Sequence, residues 1–160
     1  MLFRSRPAGL EGYPAGSPLD ALFALLDDVE RRYRIDPARR YITGMSGGGL
    51  GTLRALSREP DRFAASILVC PAGVPGNHPG VPTSEQGVGL VEGIEGVPLW
   101  FFHGTDDPVV PISLTLDRVD ALRQAGAKPR LTEYPGVKHD AWVKAYAEPV
   151  IVDWLFGHHR

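Results

Sequence analysis

Apolar residues recur along this chain in two rhythms. Leu19, Leu22, Phe23, Leu26, Val29 and Tyr33 fall at helical spacing, which predicts an amphipathic helix with all of them on its inner face. Its start is marked by Ser17 as a cap, Pro18 at the first helical position and Asp20 at the positive end. Asp36-Pro37 ends that unit in a turn. Leu50, Leu53 and Leu56 predict a second helix over 48–57. Leu116, Val119 and Leu122 predict a third over 113–125, closed by Gly126. Residues 142–156 read as helical, with a break at Pro149 and Gly157 as the stop. The other rhythm is short and unbroken. Residues 64–70 and 97–103 run apolar without alternation, as strands buried on both faces do. Residues 40–43 and 130–134 are shorter β-prone runs.

The sum is α-β-α-β-loop-β-α-β-α, about four strands alternating with helices. That order implies a parallel sheet with right-handed crossovers, hence an α/β protein built as a three-layer α/β/α sandwich. Ligands in such sheets sit beyond the carboxyl ends of the strands. Residues 72–96 form a long stretch crowded with Gly and Pro, including Pro75-Gly76 and Pro79-Gly80, and read as a loop or insertion near the site. The opening, residues 4–16, also reads as loop.

Composition narrows the function classes. With 160 residues the chain reads as one domain, 1–160, and its 43% hydrophobic and 22% charged residues are ordinary for a globular protein. The net charge of −2 comes with no basic stripe, so neither nucleic acid nor an anionic membrane is expected as a partner. Apolar runs stay below the length of a membrane span, and the opening lacks the apolar stretch of a signal peptide. The single cysteine, Cys70, rules out an internal disulfide.

Candidate chemistry gathers at the strand ends. Gly44-Met45-Ser46-Gly47-Gly48 reads G-x-S-x-G between a strand-like and a helix-like run, a setting that pushes a serine hydroxyl out above a sheet edge. The glycines are expected because a strained turn leaves no room for side chains. In a chain with 19 glycines a chance match arises roughly one time in ten, and the plain reading is a helix capped by Ser46. Two further placements agree with the first. Asp107 follows the third strand and His139 the fourth, giving the order Ser, Asp, His. A serine hydroxyl needs a base within reach, and the imidazole of His139 needs a carboxylate to fix its tautomer. Asp106, adjacent and equally charged, is the rival for that carboxylate. The Gly47 amide is a candidate oxyanion donor. Trp142, close to His139 in sequence, is a candidate for lining the substrate site.

The segment 36–49, containing Tyr41-Ile42-Thr43-Gly44-Met45-Ser46-Gly47-Gly48-Gly49, resembles the nucleophile strand and elbow of α/β-hydrolases. Within that superfamily it is similar to the carboxylesterase, dienelactone hydrolase and polyhydroxybutyrate depolymerase-like groups. His103-Gly104-x-x-Asp107-x-Val109-Val110-Pro111 resembles their acid loop, and Tyr134-Pro135-Gly136-Val137-x-His139-Asp140-x-Trp142 their histidine loop. The likeness implies a serine esterase that cleaves small-molecule carboxylic esters through an acyl-enzyme, with no cofactor and no metal. It covers about residues 19–155 and corresponds to the C-terminal portion of that fold. Strands that precede the nucleophile strand in the family, one of which gives the second oxyanion donor, have no counterpart before Ser17. The expectation is therefore an N-terminally truncated hydrolase whose first strand exposes an edge open to self-association.

Other readings stand beside this one. The same fold hosts serine peptidases, and a hydrolase remnant can serve as a scaffold. A Gly-rich turn at a helix start can also cradle phosphate, but the spacing is not G-x-G-x-x-G and no acidic residue ends the following strand. No H-E-x-x-H or C-x-x-C points to a metal. His103 reads as structural, His158 and His159 as part of a frayed terminus, His78 as a loop residue and Cys70 as a small buried hydrophobe.

Overall fold

The computed structural model describes residues 17–73 and 89–160. In chain order the elements are α1 (Pro18–Arg32), β1 (Tyr41–Met45), α2 (Gly47–Arg58), β2 (Ala65–Val69), β3 (Leu99–Gly104), α3 (Ser113–Gln124), β4 (Arg130–Tyr134), α4 (Trp142–Ala145) and α5 (Ile151–Phe156). The strands form one parallel sheet in the order β1-β2-β3-β4. Its register aligns Met45 with Val69, Val69 with Phe102 and Gly104 with Tyr134, so every carboxyl end lies at one rim.

The unbroken apolar runs become the two central strands, every residue of which is buried. Alternate side chains of these strands feed opposite layers. Leu68, Leu99 and Phe101 pack with Phe23 of α1, Leu53 and Leu56 of α2, and Val119 and Leu122 of α3. Ile67, Val69, Trp100 and Phe102 pack with Ala145 of α4 and with Ile151 and Trp154 of α5. Helices therefore cover both faces, as a parallel sheet requires. The molecule is a three-layer α/β/α sandwich.

α1 starts as its sequence dictates. Ser17 and Asp20 form a capping box, in which Asp20 N–H donates to Ser17 Oγ at 3.2 Å and Ser17 N–H to Asp20 Oδ2 at 3.1 Å. Tyr33 departs from the expected inner face: it is the C-terminal cap and lies exposed, because the helix ends one residue earlier. On α3 the buried positions include Thr115 and Arg118, at spacing that interleaves with Val119 and Leu122, so that face is partly polar.

The long loop divides into two parts. Residues 74–88, including His78, lie outside the described residues. Its end does not remain loop: Gly89–Val91 forms a short 3-10 turn, and Leu90, Val91 and Ile94 are buried in the core. The chain terminus is also docked rather than frayed. His158 packs its ring 4.6 Å from that of Trp154 and bonds the Trp154 carbonyl, while Arg160 donates to the Phe63 and Pro60 carbonyls and to Asp61. Among the described residues no strand lies outside β1.

Candidate active site

Strand β1 ends in a turn set by crowding. Ser46 adopts φ 51°, a left-handed conformation that L residues rarely take, and occupies the position before α2. Its N–H continues the sheet ladder to Val69 O at 3.0 Å, and its carbonyl accepts from Leu50 and Ala72 N–H. The plain reading of a capping serine does not hold, because the hydroxyl makes no cap bond. Close packing explains the glycines, though not all in the expected way. A Cβ on Gly44 would overlap the Gly48 carbonyl and reach 2.6 Å from Thr52 Oγ1. One on Gly49 would lie 2.7 Å from Pro71 Cα. Gly47 and Gly48 face open space, so the confinement falls on Gly44 and Gly49.

Opposite the serine, two loops are sewn together. Thr105 N–H donates to Tyr134 O at 3.1 Å and Asp106 N–H to Val137 O at 3.0 Å. Gly136 N–H donates to Thr105 Oγ1 at 2.9 Å. Gly104 permits the approach, since a Cβ there would overlap the Val137 carbonyl and sit 2.5 Å from Lys138 O.

This stitching separates the rival carboxylates. Asp106 points outward and accepts the Thr105 hydroxyl at 2.8 Å. Asp107 has a fully buried side chain. Its Oδ1 accepts Val109 and Val110 N–H at 2.8 and 2.9 Å, an Asx-type closure that aims Oδ2 at the histidine loop. There His139 Nδ1 lies 2.7 Å from Asp107 Oδ2, and His139 Nε2 lies 2.9 Å from Ser46 Oγ. Burial pushes the Asp107 carboxyl up, but the bonds from His139, Val110 and Val109 together with the His139 charge hold it below its ordinary value. Asp107 is thus an anion at neutral pH. The carboxylate can only accept, so Nδ1 of His139 carries the proton and Nε2 offers its lone pair to the serine hydroxyl.

Ser46, Asp107 and His139 therefore meet, whereas Asp106 does not join them. Gly47 begins α2 beside Ser46 and is exposed, with an amide at a position that lacks an intrahelical acceptor. Trp142 stands edge-on to the His139 ring, 5.4 Å between centroids, at the side of the site. His103 lies behind the site, fully buried.

Two residues of the site region have no counterpart in the sequence reading, and a third, Cys70, is buried as expected but bonds the histidine loop. Arg118 is fully buried and donates to Pro71 O at 2.8 Å and Ala72 O at 3.1 Å, tying α3 to the segment whose Ala72 N–H holds the Ser46 carbonyl. Burial pulls its guanidinium down to about 10, against the neighbouring Asp117, so it remains a cation at neutral pH. Thr115, one turn earlier, bonds His103. Cys70 takes φ 36° and its thiol donates to His139 O at 3.6 Å. Polar residues at inward-facing helical positions of α3 were the available signal for the first two.

Among the described residues one group brings metal-ligating atoms together: Cys70, Asp107 and His139, all within 4.8 Å of one another. Burial pushes the thiol up to about 11, so it keeps its proton at neutral pH. Asp107 already receives N–H donors on both oxygens. A metal ion held by this group would have to replace the hydrogen bond between His139 Nδ1 and Asp107 Oδ2.

No family model matches the chain. A bifunctional acetylxylan esterase/xylanase, XynS20E of Neocallimastix patriciarum, is 30% identical over 86 residues, which are 54% of this chain and 11% of that protein. A thermostable esterase of known structure superposes with a TM-score of 0.77 at 34% identity, over 89% of this chain and 37% of that one. The S-formylglutathione hydrolase FrmB of Staphylococcus aureus superposes at 0.68 with 19% identity, over 90% of this chain and 66% of that one. The chain thus spans little more than a third of the thermostable esterase. By fold the chain is an α/β-hydrolase, and it is similar to esterases and related serine hydrolases.

Proposed function

We propose that this protein hydrolyses carboxylic esters of small molecules through an acyl-enzyme on Ser46. One observation carries the reading: an unbroken chain of contacts from Ser46 Oγ through His139 to Asp107, at 2.9 and 2.7 Å. In this reading His139 Nε2 takes the serine proton as Oγ attacks the ester carbonyl, and returns it to the leaving alcohol. Asp107 holds the tautomer and stabilises the imidazolium that forms. The Gly47 amide donates to the tetrahedral oxyanion, and Trp142 lines the acyl or alcohol pocket beside the base. Water then attacks the acyl-serine by the same route in reverse. Ester hydrolysis is supported by the esterase names of the two similar proteins at 30% identity or more, whereas the peptidases of the same fold are below 20% identical.

Incubation with a fluorophosphonate and mass mapping of the adduct tests the nucleophile, and turnover of p-nitrophenyl acetate tests the activity. An adduct on Ser46 with ester turnover is the expected result. A folded protein that takes up no fluorophosphonate overturns the nucleophile. An adduct without turnover favours the second reading, a scaffold that keeps the relay but does not complete the reaction.

A further inference from the structure

Asp107 has a second histidine against it. His103 Nε2 lies 3.4 Å from Asp107 Oδ2, the same oxygen that His139 engages, and both side chains are fully buried. The proposed function gives His103 no part. Its surroundings nonetheless fix its state in detail. Nε2 is 2.9 Å from the Val110 carbonyl, which can only accept, so Nε2 must carry a proton. Nδ1 is 2.8 Å from Thr115 Oγ1, whose hydroxyl can then donate to the bare nitrogen. Both ring nitrogens are satisfied in a neutral ring with a single assignment. Burial holds the ring below its ordinary histidine value, against the Val110 bond and the Asp107 charge, which favour protonation.

The consequence is mechanical. Val110 is gripped at both ends, its N–H by Asp107 Oδ1 and its carbonyl by His103. The carboxylate, the turn 107–110, the imidazole at the end of β3 and Thr115 on α3 are linked in one chain of hydrogen bonds. Neutrality matters too. An imidazolium at 3.4 Å would compete with His139 for Oδ2 and weaken the hold of Asp107 on the base.

We propose that His103 is a positioning residue: with Thr115 it forms a buried neutral bracket that holds the Asp107 turn, and so keeps Oδ2 aimed at His139 Nδ1. This rests on the esterase reading for its consequence in catalysis, but not for its geometry. Without the bracket the Val110 carbonyl is orphaned inside the core and the carboxylate is free to turn. A displacement of that kind slows chemistry and leaves ground-state binding in place.

The test uses nitrogen and proton NMR of histidine-labelled protein beside the rate of fluorophosphonate labelling of Ser46. In the unmodified protein at neutral pH, the His103 nitrogens should report a neutral ring with its proton on Nε2. A ring protonated on Nδ1, or an imidazolium, overturns the bracket. Thr115→Val removes the donor at constant shape. It should shift or broaden the downfield Nδ1–H resonance of His139, slow labelling roughly ten- to a hundred-fold, and lower kcat with KM unchanged. Thr115→Ser, which keeps the hydroxyl, should restore all of these. A folded Thr115→Val with the His139 resonance and the labelling rate unmoved overturns the proposal and leaves His103 as core packing. If Thr115→Val does not fold, the tautomer of the unmodified protein decides. If unmodified Ser46 takes no label while the His139 resonance still answers to Thr115, the bracket stands and the esterase reading falls.

Discussion

At Ser46 the backbone is held by crowding, and at Asp107 by hydrogen bonds. The serine sits at φ 51° in a turn where strand and helix approach so closely that Gly44 and Gly49 have no space for a Cβ. Its side chain bonds nothing on its own turn. The aspartate stands in a turn of ordinary backbone, and two backbone N–H groups and His139 saturate its oxygens. The difference follows from what each group has to do. In the proposed function Ser46 gives its proton to His139 and forms a bond, so confinement has to come from sterics that leave the hydroxyl facing His139. A carboxylate that stays charged and still is better served by donors, which depress its protonation and fix its direction.

The comparison can be broken most severely at the carboxylate. Asp107→Asn keeps the shape but presents an amide to Nδ1, which disfavours the required tautomer. Turnover of p-nitrophenyl acetate should fall about 10⁴-fold. Asp106→Asn, one residue away and outside the relay, is the matched control.

The steric side is next. Gly44→Ala drives a methyl into the Gly48 carbonyl and should destabilise by roughly 2–3 kcal/mol in urea unfolding, with loss of labelling at Ser46. Gly48→Ala meets open space and should change unfolding by less than about 1 kcal/mol, the usual helix preference favouring alanine. Equal losses at the two positions would show that the confinement is not where the packing puts it. Gly104→Ala should act like Gly44→Ala on stability, by forcing the histidine loop off the acid loop.

Acid sharpens the hydrogen-bonded side. His103 is held below its usual 6.5 chiefly by burial, so the unfolded chain takes up a proton before the folded one does. Stability is therefore full above about pH 6.5 and declines as pH falls below it. The Asp107 carboxyl lies below its usual 3.8, so its contribution is present above about pH 4 and is lost as pH falls through the lower folded value. Urea midpoints measured from pH 8 to 3 should decline in two windows, and His103→Phe should flatten the first.

The smallest expected effect belongs to Asp106→Asn. Its carboxylate is exposed and accepts only the Thr105 hydroxyl, so stability should move by less than about 0.5 kcal/mol and activity hardly at all. A large loss there would reverse the assignment between the two aspartates.

Local order carried the element sequence on its own. The unbroken apolar runs had to become doubly buried strands, the Ser17-Pro18-Asp20 start had to open a helix, and Ser46, Asp107 and His139 had to follow strand ends, because periodicity and turn chemistry act over a few residues. Tertiary structure decided the rest. Asp107 meets His139 and Asp106 does not, since the choice depends on how two loops, 32 residues apart at Asp107 and His139, are stitched. Thr115 and Arg118 are buried, Tyr33 is exposed and Leu90 and Ile94 end in the core, because burial is set by which surfaces face each other after folding. A hydrogen bond between side chains far apart in the chain leaves no periodic trace in the sequence, and His103 acquires its partners only once α3 lies against β3.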